Sequence, residues 1–532
     1  MNRRNNQQYA KTLNTILVSK QLRRLKGKKQ VFSLIGQKQK DNVKYDYVHE
    51  RLLHTLEVYS IAKDIAMGVS QATFKMFNKE GNKTTKHFPY SDELLEAICF
   101  AHDFGHTPFG HVGETALTHY MRGINGTIRE FKSGKAIKSD LAFKHNYYSA
   151  CLLIRKYPNC PSEIIDGVLK HTSTITFDGE DIAYPWMVFG ANAYLPEILK
   201  KIPGYLNNKN AFTFEGQVVA IADEIAQVLS DMEDSKIVLD TVFSDKEEKE
   251  ILYKKESCSL KSALIRVRKA LVNGVVSETC LNLYKHFKNA KKYEDQILFN
   301  NKIVNFNQHA EKIYNKIDEL RVEKLHKNDL VLKQNCLSYL IIYKVFDFYL
   351  SDINNLFKND ISSASYINNN LCDIRDDSRY KKGENNKQFV ELKRYLNDNE
   401  RGDIVESLES LKRVKLYNHE QVRDETKNEL LRVCNFLAEY YFDCYGNDIL
   451  SNQVLDRMTA SLLREISYSI AKMTDRYALS IFDLSFGHSI ERINQYIDKC
   501  SKKIIHTKQF DMKPEYSLYL KDRIKVLLGI DK

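Results

Sequence analysis

The sequence predicts an all-α protein, and three observations carry that prediction. The eight prolines stand at 89, 108, 158, 161, 185, 196, 203 and 514, so residues 204–513 contain none. Between Gly216 and Gly446 the only glycines are Gly274, Gly383 and Gly402. The same stretch is rich in Leu, Lys, Glu and Ile. A proline removes an i→i−4 hydrogen bond and clashes with the preceding turn, and glycine raises the entropic cost of a helix. Their scarcity over so long a run leaves helix as the default.

Taken in order, residues Leu13 to Leu25 read as a short helix, and residues 26–32 (KGKKQVF) as a turn-like segment. From Tyr47 to about Met67, His54, Val58, Ile61 and Ile65 recur on one helical face. Residues 68–90 are polar and read as a loop or broken helix. Ser91 fits a helix N-cap, with Asp92 and Glu93 in the first turn where the helix dipole favours them. That helix should end near Gly105, and a second should start at Gly110–His111. Residues 123–140 read as a polar insertion. Helix resumes at Phe143 and again over Pro161–His171, and residues 172–212, with Trp186, read as loops. The apolar run from Val218 to Leu229 is a helix that carries Asp223, Gln227, Asp231 and Asp234 on one face, at i, i+4, i+8 and i+11. From 245 to 460 the pattern is helical and highly charged, except that the Asn/Asp/Ser-rich residues 355–405 read as a mobile excursion.

Composition narrows the class. Eighty basic against 69 acidic residues leave a net charge of +11 over 532 residues, which suits either general solubility or a polyanionic ligand. The ten cysteines form no CxxC pair and no regular spacing, so neither a zinc ribbon nor a disulfide framework is indicated, and a reducing cytoplasm fits. The N-terminus has no signal-peptide core, and no apolar run approaches the roughly 18 residues of a membrane span.

The chemistry concentrates in residues 101–114, AHDFGHTPFGHVGE, which hold three histidines and two carboxylates among glycines and a proline. Buried ionisable groups cost energy unless they are paired or bound to a metal. His54 on one inner helix face, His102-Asp103 at a helix end and Asp223 on a third helix supply two imidazoles and two carboxylates. That donor set suits Mg²⁺, Mn²⁺, Fe²⁺, Co²⁺ or Ni²⁺ with positions left for water and phosphate oxygens.

The segments RRLKGKKQVF (23–32), RLLHTLEV (51–58), ELLEAICFAHDFGHTPFGHVGETAL (93–117), FKHN (143–146), EGQVVAIADEIA (215–226) and MTDRYA (473–478) together resemble the HD-domain phosphohydrolases. Within them, the likeness is to the dGTPase family of deoxynucleoside triphosphate triphosphohydrolases, bacterial branch. The resemblance implies an HD-domain helical fold with an added helical C-terminal region. It divides the chain into a catalytic core (1–245, N-terminal arm plus metal site), a helical region (246–480) that completes the pocket and the oligomer contacts, and a basic tail (481–532). It implies His54, His102, Asp103 and Asp223 as metal ligands and His111 with Glu114 as the acid/base pair near the α-phosphate. Arg51, His106 and His145 would face the phosphates, and Gln30 and Asp231 would lie near the sugar. The implied reaction releases nucleoside and tripolyphosphate from a dNTP in a cytoplasmic homo-oligomer, commonly a hexamer. A regulatory nucleotide or single-stranded DNA at a secondary site is a further partner the family allows.

Two departures stand out. Gln227 occupies the position, one turn after the last metal aspartate, where the family commonly has a tyrosine against the deoxyribose, which puts deoxy selectivity and base preference in question. His49 replaces a usual arginine. Pool control and antiphage dNTP depletion are both open as roles. An HD phosphohydrolase acting on a monophosphate or a ribonucleotide is the second reading, and a nucleotide- or nucleic-acid-binding regulator with a vestigial site is the third.

Overall fold

In the computed structural model of the chain, the described residues are 3–30, 48–79, 87–122, 143–172 except 158, 176–177, 180–181, 210–239, 260–287, 298–376, 384–412, 414, 423–443 and 453–486. The expected insertion at 123–140 and the segment 487–532, most of the basic tail, lie outside them, as does Trp186. Among the described residues the only strands are Thr176–Phe177 (β1) and Glu180–Asp181 (β2), paired antiparallel with Thr176 opposite Asp181.

The N-terminal half comprises α1 (Arg3–Leu17), α2 (Lys20–Arg24), a 3-10 turn at Leu25–Gly27, α3 (Arg51–Lys79), α4 (Asp92–Ala101), α5 (Gly110–Arg122), α6 (His145–Lys156), α7 (Ser162–Leu169) and α8 (Phe214–Leu239). The start of α4 is built as its sequence suggests. Ser91 Oγ accepts from the Leu94 amide at 3.3 Å, satisfying an otherwise orphaned first-turn donor, and Asp92 and Glu93 follow in the first turn. Leu95, Ala97, Ile98, Cys99 and Ala101 are fully buried because α1, α3, α7 and α8 all pack on α4. Burying a side chain such as Leu95 or Ile98 contributes about 1.5–3 kcal/mol. This central helix ends at His102, its C-cap, and so delivers the His-Asp pair into the middle of the protein.

α3 is longer than its sequence indicates. Residues 68–79, expected to be loop or broken helix, continue the helix because α9 (Leu260–Phe287) lies along it. Val69 and Thr73 are fully buried there, and Cys280 Sγ of α9 donates to Val69 O at 3.8 Å. Packing overrides a polar local composition.

The C-terminal half continues with α10 (Gln308–Leu320), a π-helical turn (Arg321–His326), α11 (Asp329–Ser351), α12 (Ile353–Asn359), α13 (Ile361–Asp376), α14 (Glu384–Asp398), α15 (Gly402–Lys412), α16 (Asp424–Asp443), α17 (Gln453–Ala471) and α18 (Asp475–Phe486). α11 packs on α5, and α17 and α18 pack on α11. Tyr148 of α6 stacks on Tyr468 of α17 with ring centroids 4.1 Å apart, and Arg155 binds the fully buried Glu465 at 2.9 Å. One hydrophobic core therefore runs from Tyr9 to Phe482.

The excursion expected at 355–405 is instead helical where it is described, apart from short breaks at Asp360 and Asn399–Arg401. In α13 the residues Ala364, Ile367 and Leu371 form an apolar stripe at i, i+3 and i+7 and are at most 2 % exposed. Its buried polar groups are satisfied: Ser363 shares a hydrogen bond with Ser469 at 2.8 Å, and Asn368 donates to Val414 O at 3.1 Å. Residues 377–383 lie outside the described set. Among the described residues no helix is long and apolar enough to cross a membrane.

Candidate active site

Three helices bring the expected metal ligands together. α3 starts at Arg51 and points Arg51 and His54 inward, α4 ends on His102-Asp103, and α8 contributes Asp223. His54 Nε2 lies 2.8 Å from Asp223 Oδ1, and His102 Nε2 is 3.7 Å from Asp103 Oδ1 and 3.8 Å from Asp223 Oδ1. Arg51 Nη1 donates to Asp103 Oδ2 at 2.8 Å. His102 Nδ1 donates to Cys99 O at 2.6 Å, which leaves the lone pair on Nε2. That Nε2 is buried and has no hydrogen-bond partner among the described residues. An unsatisfied buried imidazole nitrogen aimed between two carboxylates fits a divalent ion, with the Nδ1 contact fixing the tautomer as in metal-bound histidines. His54, His102 and Asp103 could hold an ion, with Asp223 beside them. Burial pushes the Asp103 carboxyl up, but His102, Arg51, His106 and His145 outweigh it and hold the group well below the usual carboxylate range. Burial likewise raises Asp223, and the hydrogen bond from His54, with the His102 ring beside it, reverses the shift.

A second cluster joins the first through Asp103. Glu114 Oε1 accepts from the His145 amide at 2.8 Å and from His145 Nδ1, and Glu114 Oε2 lies 3.2 Å from His111 Nδ1. Lys144 Nζ stands 3.6 Å from Glu114 Oε2. Burial raises the Glu114 carboxyl, but His145 and Lys144 hold it well below its ordinary value, so it is an anion between imidazoles. The His106 ring stacks on His145 with centroids 4.3 Å apart, and its buried Nε2 has no partner among the described residues. Burial and Arg51 push the His106 imidazole well down, so it is neutral. The side chain of His111, by contrast, is 56 % exposed, which makes it the open face of the cluster.

His171, after α7, is a site residue that sequence reasoning missed. Its Nδ1 donates to Val168 O at 2.6 Å, its Nε2 is 3.1 Å from His145 Nε2, and its ring lies 5.0 Å from that of His102. Burial and the neighbouring imidazoles push it down to about 3, so it is neutral, and with Asp103 and His145 it forms a second group that could hold a cation. The available signal was its place at the end of the expected Pro161–His171 helix; in the structure it lies just past the C-cap Lys170 and, like His102, bonds back to the carbonyl of residue i−3.

The other expected contacts are distributed differently. Gln30, expected near the sugar, turns its amide to His54 Nδ1 at 3.4 Å. Asp231, also expected near the sugar, is buried and takes a hydrogen bond at 3.0 Å from Arg321, in the π-helical turn, while its Oδ1 has no partner among the described residues. Burial pushes the Asp231 carboxyl up to about 6 against the pull of Arg321. π-Helical turns occur disproportionately at functional sites, and His326 at the end of this one feels the charges of Arg321 and His111. Gln227 is half-buried on α8 between Asp223 and Asp231. His49 sits one residue before Glu50 and two before Arg51. It binds Asp234 through its amide at 3.2 Å and through Nδ1 at 2.6 Å, and its Nε2 lies 3.0 Å from Glu57.

Residues 51–228, the stretch in which three helices gather His, His-Asp and Asp, match the HD domain family. The chain carries an HD domain and resembles the dGTPase family, as its motifs implied. It is similar to the deoxyguanosinetriphosphate triphosphohydrolase-like protein of Rickettsia peacockii, 26 % identical over 352 residues that cover 64 % of this chain and 78 % of the relative. The protein of the same name from Rickettsia akari is 28 % identical over 357 residues, or 64 % and 77 % of the two chains. That of Pelagibacter ubique is 31 % identical over 219 residues, 41 % of this chain and 46 % of the relative.

Proposed function

We propose that this chain is a metal-dependent hydrolase of deoxynucleoside triphosphates that yields deoxynucleoside and tripolyphosphate. The observation that carries the reading is the junction of two unlike clusters at Asp103: unsatisfied metal-type donors on one side and a Glu114-anchored imidazole cluster on the other. His54, His102, Asp103 and Asp223 would hold a divalent ion such as Mg²⁺, Mn²⁺, Fe²⁺, Co²⁺ or Ni²⁺, which supplies Lewis acidity to phosphate oxygens and lowers the pKa of water. Arg51, His106 and His145 line the space between the clusters and would receive phosphate oxygens, Arg51 as the fixed cation. Glu114 orients His111 through Nδ1, so the outward Nε2 can deliver a proton to the departing 5′-oxygen as water attacks the α-phosphorus and the P–O5′ bond breaks. The names of the relatives, deoxyguanosinetriphosphate triphosphohydrolase-like proteins, support the substrate class. We place the activity in dNTP pool control or in antiphage depletion of dNTPs, and we propose a homo-oligomer as the working form.

A second reading, an HD phosphohydrolase acting on a ribonucleotide or a monophosphate, draws on Gln227 and on the engagement of Asp231 by Arg321, which leave sugar recognition unlike the family pattern. The deciding experiment is a product assay over all dNTPs, NTPs and nucleoside monophosphates with Mn²⁺ or Mg²⁺. Tripolyphosphate from at least one dNTP is expected. Pyrophosphate or orthophosphate release would move the assignment to the second reading.

A further inference from the structure

The MTDRYA segment has no place in the chemistry above, yet it touches the active-site loop. Asp475 is 9 % exposed and uses both carboxylate oxygens on backbone amides of distant segments: Oδ1 accepts from Phe109 at 2.9 Å and Oδ2 from Lys29 at 3.0 Å. Phe109 has φ 60° and Gly110 φ 67°. A bulky residue in the left-handed region is strained and persists only where its surroundings over-determine it. The turn is held from inside by Thr107 Oγ1, which donates to Gly110 O at 2.7 Å, and from outside by Asp475.

Lys28 completes the knot. It is 1 % exposed, and its Nζ donates to His106 O and, at 2.8 Å, to Ala471 O, while its own carbonyl accepts from the first amide of α3, Arg51, at 2.9 Å. Thr474 packs so closely on Gly27 that a Cβ there would lie 2.6 Å from Thr474 Cγ2, so only glycine fits. Residues 471–475 thus clamp the arm that carries Gln30, and that accepts the first amide of α3 at Arg51, to the loop that carries His106 and leads into α5 at His111.

We propose that Asp475 is a positioning residue of the active site, holding the Phe109–Gly110 turn and the Lys28–Gln30 arm in register so that His106, His111 and Arg51 converge. The inference deepens the proposed hydrolase reading and rests on it. A displacement of about 1 Å in reacting groups costs up to roughly 100-fold in rate, so the clamp acts on turnover rather than on affinity.

The test uses the full chain carrying Asp475→Ala and Asp475→Asn, the latter keeping one acceptor oxygen. For Asp475→Ala we expect kcat to fall roughly 10- to 100-fold, with KM nearly unchanged and bound Mn²⁺ retained. Asp475→Asn should fall between Ala and the wild type. Hydrogen exchange should accelerate in the peptides spanning Lys28–Gln30 and His106–Gly110. Wild-type turnover by Asp475→Ala, or faster exchange spread evenly through α17 and α18, would overturn the proposal and leave Asp475 a structural first-turn acid of α18. A wild-type chain that hydrolyses no nucleotide would instead sink the hydrolase reading. The positioning role would then stand or fall on the exchange of the Phe109 and Lys29 amides alone.

Discussion

The two ends of α8 put the same side chain to opposite uses. Asp223 faces imidazoles whose far nitrogens are engaged and whose inner nitrogens converge, so the pocket around it has donor capacity left over. Asp234, three turns on, is closed by His49, which binds it through both its amide and its ring. Asp231 stands between: Arg321 takes one oxygen and the other has no partner among the described residues. A buried carboxylate is costly unless compensated. At Asp234 the amide and ring of His49 take the carboxylate and the acid braces the fold. Around Asp223 and Asp103 the carboxylates are met by His54 and Arg51, and what is left over is the buried Nε2 of His102, an atom that a bound ion would satisfy.

The largest effects should come from the incomplete end. Asp103→Ala removes the carboxylate common to both clusters and should abolish bound metal and turnover together, as read by elemental analysis and product assay. His111→Ala removes the exposed imidazole proposed for proton transfer and should cost about 10²–10⁴ in kcat, the usual range for general acid–base groups, while metal stays bound. Equal metal loss in the two variants would erase the division between a metal side and a proton side.

Asp231 can be assigned by disturbing its partner. Arg321→Met leaves a buried carboxylate without its cation, and breaking such a pair costs about 3–5 kcal/mol in unfolding free energy. Combining it with Asp231→Leu should restore most of that loss, because a matched apolar pair avoids the uncompensated charge. If Arg321→Met instead leaves stability intact and raises KM, Asp231 and Arg321 belong to the substrate pocket and the boundary of the incomplete end moves one turn along α8.

Much of this arrangement is readable from local sequence. The cap at Ser91, the helix start at Gly110 and the donor types at 54, 102, 103 and 223 follow from spacing and residue chemistry within short windows, and the structure brings those four side chains together. The pairings that close α8 do not follow, because each joins residues far apart: Arg321 is 90 positions from Asp231, and His49 is 185 from Asp234. The helices of 355–405 were hidden for a different reason. Their Asn and Ser dominate the composition, while the three or four apolar residues that matter, such as Ile367 and Leu371, acquire meaning only once α17 lies against them.

The smallest predicted effect separates the closed end most cleanly. Burial pulls the His49 imidazole down, but hydrogen bonds to Asp234 and Glu57, with their charges, outweigh it and hold the group up at about 10. The ordinary unfolded value is about 6.5. A folded pKa above the unfolded one means that the native state binds the proton more tightly, so the stabilisation is fully present below pH 6.5 and is lost as pH rises through 10. Between those limits one extra bound proton steepens the fall in unfolding free energy by about 1.4 kcal/mol per pH unit. Urea denaturation of the wild type and His49→Gln from pH 7 to 9.5 should therefore give converging curves, the wild type starting higher and losing its advantage as pH rises. Parallel curves would mean that His49 is neutral in the native state. The Asp234 carboxylate would then be buried without a cation, and the contrast between the two ends of α8 would have to be abandoned.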